Sequence, residues 1–327
     1  MKKIGSDLQT LYLNLVQRVH ARSERPGSVY TNVIKGRKYL YAKYQIGRSR
    51  TGKAIGPADD AQACQRADLI RQHQQLAKDD ATTISVLKSK GIPAPTTDLG
   101  YILDALSYGK LFDYAVLVGT AAYQCYSPIV GYALPSASLM TQDADIATAT
   151  LAADTPPDGE TLLDILRFAD STFRPIPALT PHGPSSAFTS ASGFQVDLIT
   201  QQRTRDDVNP LAMNNLDAGA VPLQHIRWLI DDPVEAVALH GTGVAVRIPQ
   251  PARYAVHKLI IAQKRKPSDR LKRLKDLDQA QSLISALSDT DPHGLAAAWQ
   301  DSNAQGKKGW REPALRSLQE IGLSIEI

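Results

Sequence analysis

A short apolar strand that runs into Gly119-Thr120, followed by a second strand carrying Asp143-Ala144-Asp145, constrains this chain more than any other stretch of its sequence. Carboxylates at i and i+2 of a β-strand project from the same face, so Asp143 and Asp145 can together hold a divalent metal beside a polyphosphate. Such a site needs a third carboxylate on a neighbouring strand. Phe194-Gln195-Val196-Asp197-Leu198-Ile199 supplies one, an apolar run of strand composition with a single acid at its centre, where a charge is costly unless a metal or partner meets it. Asp143, Asp145 and Asp197 are therefore the candidate catalytic and metal-binding triad; the alternative for Asp197 is a structural hydrogen-bonding acid. An Asp-x-Asp alone carries little weight, as the further acid pairs Asp206-Asp207 and Asp231-Asp232 illustrate. The order of the three elements carries the inference.

Strand, Gly-Thr, helix, Asp-x-Asp strand and later Asp, in this order, resemble the signature of the DNA polymerase β superfamily. Val118-Gly119-Thr120-Ala121-Ala122-Tyr123-Gln124-Cys125-Tyr126, with Leu139-Met140-Thr141-Gln142-Asp143-Ala144-Asp145, is similar to a bacterial group of nucleotidyltransferase-like proteins related to the AbiEii and MenT type toxins. The resemblance covers roughly the last two thirds of the chain. It implies a transferase that moves an NMP from an NTP to an acceptor hydroxyl, with Mg2+ or Mn2+ held by Asp143, Asp145 and Asp197. It also implies that Gly119 and Thr120 bind the β and γ phosphates. A glycine there lets the backbone approach a ligand, although a plain strand-to-helix turn needs the same residue.

Pro251-Ala252-Arg253-Tyr254-Ala255-Val256-His257-Lys258-Leu259 resembles the helix whose lysine contacts the triphosphate in the related toxins. That makes Lys258 the group neutralising the leaving pyrophosphate, and Lys275-Asp276 the later helical pair of the pattern, with Asp278 competing for the place of Asp276. Two departures stand out. Thr120 replaces the usual Ser or second Gly, which keeps a hydroxyl near a helix N-terminus, and the segment from Gly119 to Asp143 is longer than in compact members. The implied acceptor is tRNA or other RNA, in a toxin-like or defence enzyme with an antitoxin-type protein partner. The alternatives are a protein or small-molecule acceptor, and a non-catalytic nucleotide or nucleic-acid binding module. Retention of all three acids argues against the last.

At 327 residues and 43% hydrophobic content the chain suits about two domains with buried cores. No apolar run reaches the ~18 to 20 residues of a membrane helix, and the N-terminus leads into an amphipathic segment, so a cytoplasmic protein with no membrane partner is expected. Cys64 and Cys125 belong to no CxxC or Cys/His cluster and read as core thiols. The net charge of +4 is unevenly spread. Lys258, Lys264, Arg265, Lys266, Arg270, Lys272, Arg273 and Lys275 face only Asp269 within their stretch, a field suited to a triphosphate or polynucleotide, or else a solvated helix face.

These patterns predict an α/β (α+β) fold: a mixed sheet flanked by helices at 96–250, after an N-terminal helix and β-hairpin module at 1–95 and before a C-terminal helical region at 251–327. Leu8, Leu11, Leu13, Leu15, Val16 and Val19 mark the first helix. Residues 28–46 read as a hairpin whose Tyr30, Tyr39, Tyr41 and Tyr44, with Arg37, Lys38 and Lys43, either stack on nucleic acid or pack against each other. Gly47 to Ala54 almost spells a P-loop, but Ala54 replaces the Mg-binding hydroxyl and Pro57 blocks a helix, so it reads as a Gly-rich turn. Residues 58–90 are predicted helical, with Leu69, Ile70, Leu76, Ile84 and Leu87 facing the core. His257 reads as a packing or solvent-facing histidine, and nothing in their spacing singles out Arg174, Arg203 or Arg205.

Overall fold

A computed structural model describes residues 1–135, 143–148, 159–178, 183–204 and 206–325. Leu139 to Gln142 of the motif and Arg205 lie outside the described residues.

Helix α1 (Ser6–His20) leads into strands β1 (Ser28–Ile34), β2 (Arg37–Ile46) and β3 (Ser49–Pro57). The three form one antiparallel sheet, with α2 (Ala61–Ser89) packed on it. The predicted hairpin is thus a three-stranded sheet. Its second turn falls at Gly47-Arg48, where Gly47 adopts φ +53°, and the P-loop look-alike is strand β3. Alternation along β2 buries Leu40, Ala42, Tyr44 and Ile46 and turns Tyr39, Tyr41 and Lys43 outward.

The predicted core contact Leu76 is solvent-facing, 44% exposed, and Leu13 of the first helix is 51% exposed. Tyr12 takes the inward position on α1, where its hydroxyl donates to the Val237 carbonyl at 3.1 Å. On α2 the inward positions beside Leu76 go to Ala77 and to Asp80, whose carboxylate receives Arg18 and Arg22 at 2.7 Å each. A buried acid with two guanidinium partners satisfies the rule that a buried charge must be paired.

Helix α3 (Thr97–Tyr108) precedes the central sheet, which is built from β4 (Val116–Val118), β5 (Asp143–Thr148), β6 (Arg174–Pro175), β7 (Ala187–Thr189), β8 (Gln195–Gln201), β9 (Leu211–Met213) and β10 (Ala218–Leu223). Its main path runs β4-β5-β8-β10-β9. β5 and β8 are parallel, β4 is antiparallel to β5, and β7 and β10 share the other edge of β8. The predicted mixed α/β fold is what forms. Strands β6, β9 and β10 escape sequence reading because each is very short or, in β10, carries Pro222. Between the strands lie α4 (Gly119–Tyr123), α5 (Tyr126–Val130), α6 (Leu162–Ala169) and α7 (Ile226–Ile230). The helix expected after Gly119-Thr120 is thus two short helices, and α4 is too brief to carry a large macrodipole.

Strands β11 (Val234–Ala238) and β12 (Val244–Ile248) pair around Gly241-Thr242-Gly243. Then follow α8 (Pro251–Ala262), α9 (Arg270–Thr290), α10 (Pro292–Ala304) and α11 (Glu312–Ile321), with α8 packed against α9, α10 and α11. Tyr254 of α8 is fully buried, stacked on Tyr123 at 6.0 Å and edge-on to Tyr126 at 5.2 Å. This aromatic cluster fastens the C-terminal helices to α4 and α5, the short helices that follow β4. Among the described residues no helix is long and apolar enough to cross a membrane.

Candidate functional site

The alternation of β5 buries Ala144 and Ile146 and leaves Asp143 and Asp145 on the opposite face. On β8 the same rule buries Val196 and Leu198 and puts Gln195, Asp197 and Ile199 on the cleft side. Asp145 and Asp197 are direct register partners across the parallel pair. Val118, the last residue of β4, lies opposite Asp145 on its other side, which delivers Gly119 to the same place. A cleft of about 1080 Å³ opens over this face and is lined by all seven predicted residues: Gly119, Thr120, Asp143, Asp145, Asp197, Lys258 and Asp276.

Helices α8 and α9 form the opposite wall. Lys258 Nζ lies 2.6 Å from Asp276 Oδ1, and Arg265 Nε donates to Asp276 Oδ2 at 2.8 Å. Burial alone would raise the Asp276 pKa, but Lys258 and Arg265 outweigh it and hold the carboxyl below its usual value. Asp278, the competing residue, is exposed and stands off the cleft. Tyr254 Oη donates to the Gly119 carbonyl at 2.8 Å, and its ring carries the Lys258 ammonium 5.2 Å from the centroid. One aromatic side chain thus ties the glycine of the sheet side to the lysine of the helix side.

Three cations of the cleft wall were not distinguished from their neighbours in the basic run: Lys264, Arg265 and Lys272. Their only sequence signal is the charged run itself, because α8 ends at Ala262 and α9 begins at Arg270, so no single helical period spans them. Gln195 was also missed. Its amide donates to both oxygens of Asp197, at 2.8 and 2.9 Å. Arg174 and Arg203 are exposed and line no part of the cleft.

The carboxylates repel one another. Burial first, and then Asp143 and Asp197, push the Asp145 pKa up to about 7, against the pull of Lys258 and Arg265. Burial likewise raises Asp197, moderated by the Gln195 amide. Across the cleft, burial lowers Lys275 while Asp143 draws it back up.

Crowded oxygen donors held at such cost are the chemistry that suits a hard divalent cation. Among the described residues, however, no three His, Cys, Asp or Glu side chains converge closely enough to hold a metal ion. At Asp197 both oxygens accept from the Gln195 amide. The donor set fits a cation in kind, since each Asp197 oxygen keeps a lone pair beyond the one that Gln195 occupies.

Acids on a sheet facing cations on helices across one cleft are the arrangement by which phosphoryl-transfer proteins position a charged substrate. The chain belongs to a nucleotidyltransferase family, whose model matches residues 97–304. No curated protein matches it.

Proposed function

We propose that the protein is a nucleotidyltransferase enzyme that moves an NMP from an NTP to an acceptor hydroxyl, with residues 96–250 as catalytic core and 251–327 as the substrate-binding helices. The observation that carries this reading is the pairing of Asp145 with Asp197 across β5 and β8, facing Lys258 and Arg265 over one cleft. Asp143, Asp145 and Asp197 would hold Mg2+ or Mn2+, which when bound neutralises phosphate charge and lowers the pKa of an attacking hydroxyl. Gly119 and Thr120 offer backbone and hydroxyl donors to the phosphates. Lys258, held in place by Asp276 and the Tyr254 ring, meets the charge that develops on the departing pyrophosphate, and Arg265 supports it. The catalytic gain comes from positioning and from preset charge, since the reacting groups are brought together before the bond breaks.

RNA, including a tRNA 3′ end, is the proposed acceptor class. The cleft's cations and the outward Tyr39, Tyr41 and Lys43 of β2 support it. A toxin-like role with an antitoxin-type partner belongs to the same proposal and rests on the resemblance in sequence. The test is transfer of label from each α-32P NTP, with Mg2+ or Mn2+, into tRNA, total RNA and the protein itself, comparing the wild type with Asp143→Ala/Asp145→Ala. Label that reaches an acceptor only with the wild type supports the reading and names the acceptor class. No transfer to any of them by a folded, nucleotide-binding wild type contradicts it for those acceptors.

A further inference from the structure

The cleft changes character along its length. On β8, Ile199 follows Asp197 on the same face, about 7 Å further along the strand. On the opposite wall Ile261 comes seven residues after Tyr254, on the same helical face and about 10 Å further along α8. On β8 the lining thus passes from Asp197 to Ile199, and on α8 Ile261 interrupts the cations between Lys258 and Lys264. Leu229 and Leu223 line the cleft as well, and Leu223 is 41% exposed, a large apolar side chain left open to solvent.

Two histidines line the cleft with these apolar groups. His257 is nearly wholly buried, and neither of its ring nitrogens has a hydrogen-bond partner. His225 is held in a left-handed backbone conformation at φ +66°, with its ring edge-on to Trp310 and its Nε2 against Lys264. Burial, then Lys258 and His225, bring His257 down to about 3, so its imidazole is neutral and offers one donor and one acceptor. A buried polar group without a partner is costly unless something else satisfies it. Apolar side chains beside a neutral donor and acceptor are the lining that suits a heterocyclic ring.

We propose that the His225/His257 end of the cleft seats the base of the nucleotide, with Ile199 and Ile261 against its faces and His257 reading its polar edge. This rests on the nucleotide reading above and assigns the substrate's orientation: triphosphate toward Gly119 and Lys258, base toward His257.

The test is calorimetric binding, with Mg2+ and no acceptor, of the four NTPs and of an abasic ribose 5′-triphosphate to the full chain and to two variants. The wild type should bind NTPs about tenfold or more tighter than the abasic compound. Ile261→Trp, which fills the apolar end, should remove that advantage while leaving abasic affinity unchanged. His257→Phe, of similar shape, should flatten the differences among the four NTPs with the abasic affinity again intact. Equal binding of NTPs and the abasic compound by the wild type, or a parallel loss for both in the two variants, overturns the base seat and leaves the nucleotide reading standing. Failure of the wild type to bind any of the five compounds overturns both.

Discussion

Gly119 and Asp145 occupy one another's space: a Cβ added to Gly119 would come within 2.3 Å of Asp145 Oδ2. Glycine is required here twice over, since residue 119 also adopts φ +64°. The pairing of Val118 with Asp145 across β4 and β5 forces this closeness. Gly119→Ala is expected to cost about 1–3 kcal/mol of stability through backbone strain and to displace the Asp145 carboxylate, so that activity falls far more than folding does. Urea denaturation read beside transfer rates checks this; an unchanged rate would show that the Asp145 position is not critical.

Asp276 anchors the cationic wall. Removing it leaves Lys258 and Arg265 without their shared buried partner, and Asp276→Ala should cost about 3–5 kcal/mol, as breaking a buried ion pair generally does. The pH dependence follows from the direction of its shift. Because the folded protein holds Asp276 below its ordinary value, its contribution is complete above the unfolded pKa of about 4 and is lost as pH falls through the lower folded value. The variant should therefore be less stable than the wild type at pH 7, with the gap narrowing in acid, as thermal melts across pH would show.

Asp145 behaves in the opposite sense. Its pKa rises to about 7 on folding, so without a cation the protein loses stability as pH climbs from about 4 through 7. Asp145→Asn is expected to raise the melting temperature of the metal-free protein at pH 8, leave it nearly unchanged at pH 4, and abolish transfer. Equal melting temperatures at pH 8 would mean that the carboxylate is not under this strain.

Gln195 holds Asp197 through two hydrogen bonds that lower its pKa against the effect of burial. Gln195→Ala should raise the Asp197 pKa further in the metal-free protein, which a carboxyl-carbon NMR titration reads directly. A pKa that stays put or falls would contradict the assignment.

The acids of the site were legible because their signal is local. Asp143, Asp145 and Asp197 declare themselves by period-2 alternation within six- and seven-residue strands, and Gly119 by its place at a strand end. The basic wall was legible only as a charged run. What selects Lys258, Arg265, Lys272 and Lys275 from it is the way α8 and α9 pack against the sheet, a contact between segments more than 100 residues apart in sequence for Lys258 and Asp143. His257 was read as a packing or solvent-facing residue for the same reason, since nothing in its neighbours reveals an unpartnered ring lining a cleft. Leu76 and Asp80 show the converse failure. Apolarity predicted the inward residue on α2, but two arginines from α1 and the segment after it made an acid the better occupant.

The central claim is that the cleft breaks the bond between the α and β phosphates of an NTP. The most direct measurement supplies α-32P NTP and γ-32P NTP in parallel, with Mg2+ and RNA, and follows where each label goes. The account predicts that the α label enters the acceptor while the γ label leaves as pyrophosphate, and that both movements stop in Asp197→Asn. A γ label found on the acceptor, or released only as orthophosphate while the α label stays with the nucleotide, would contradict it.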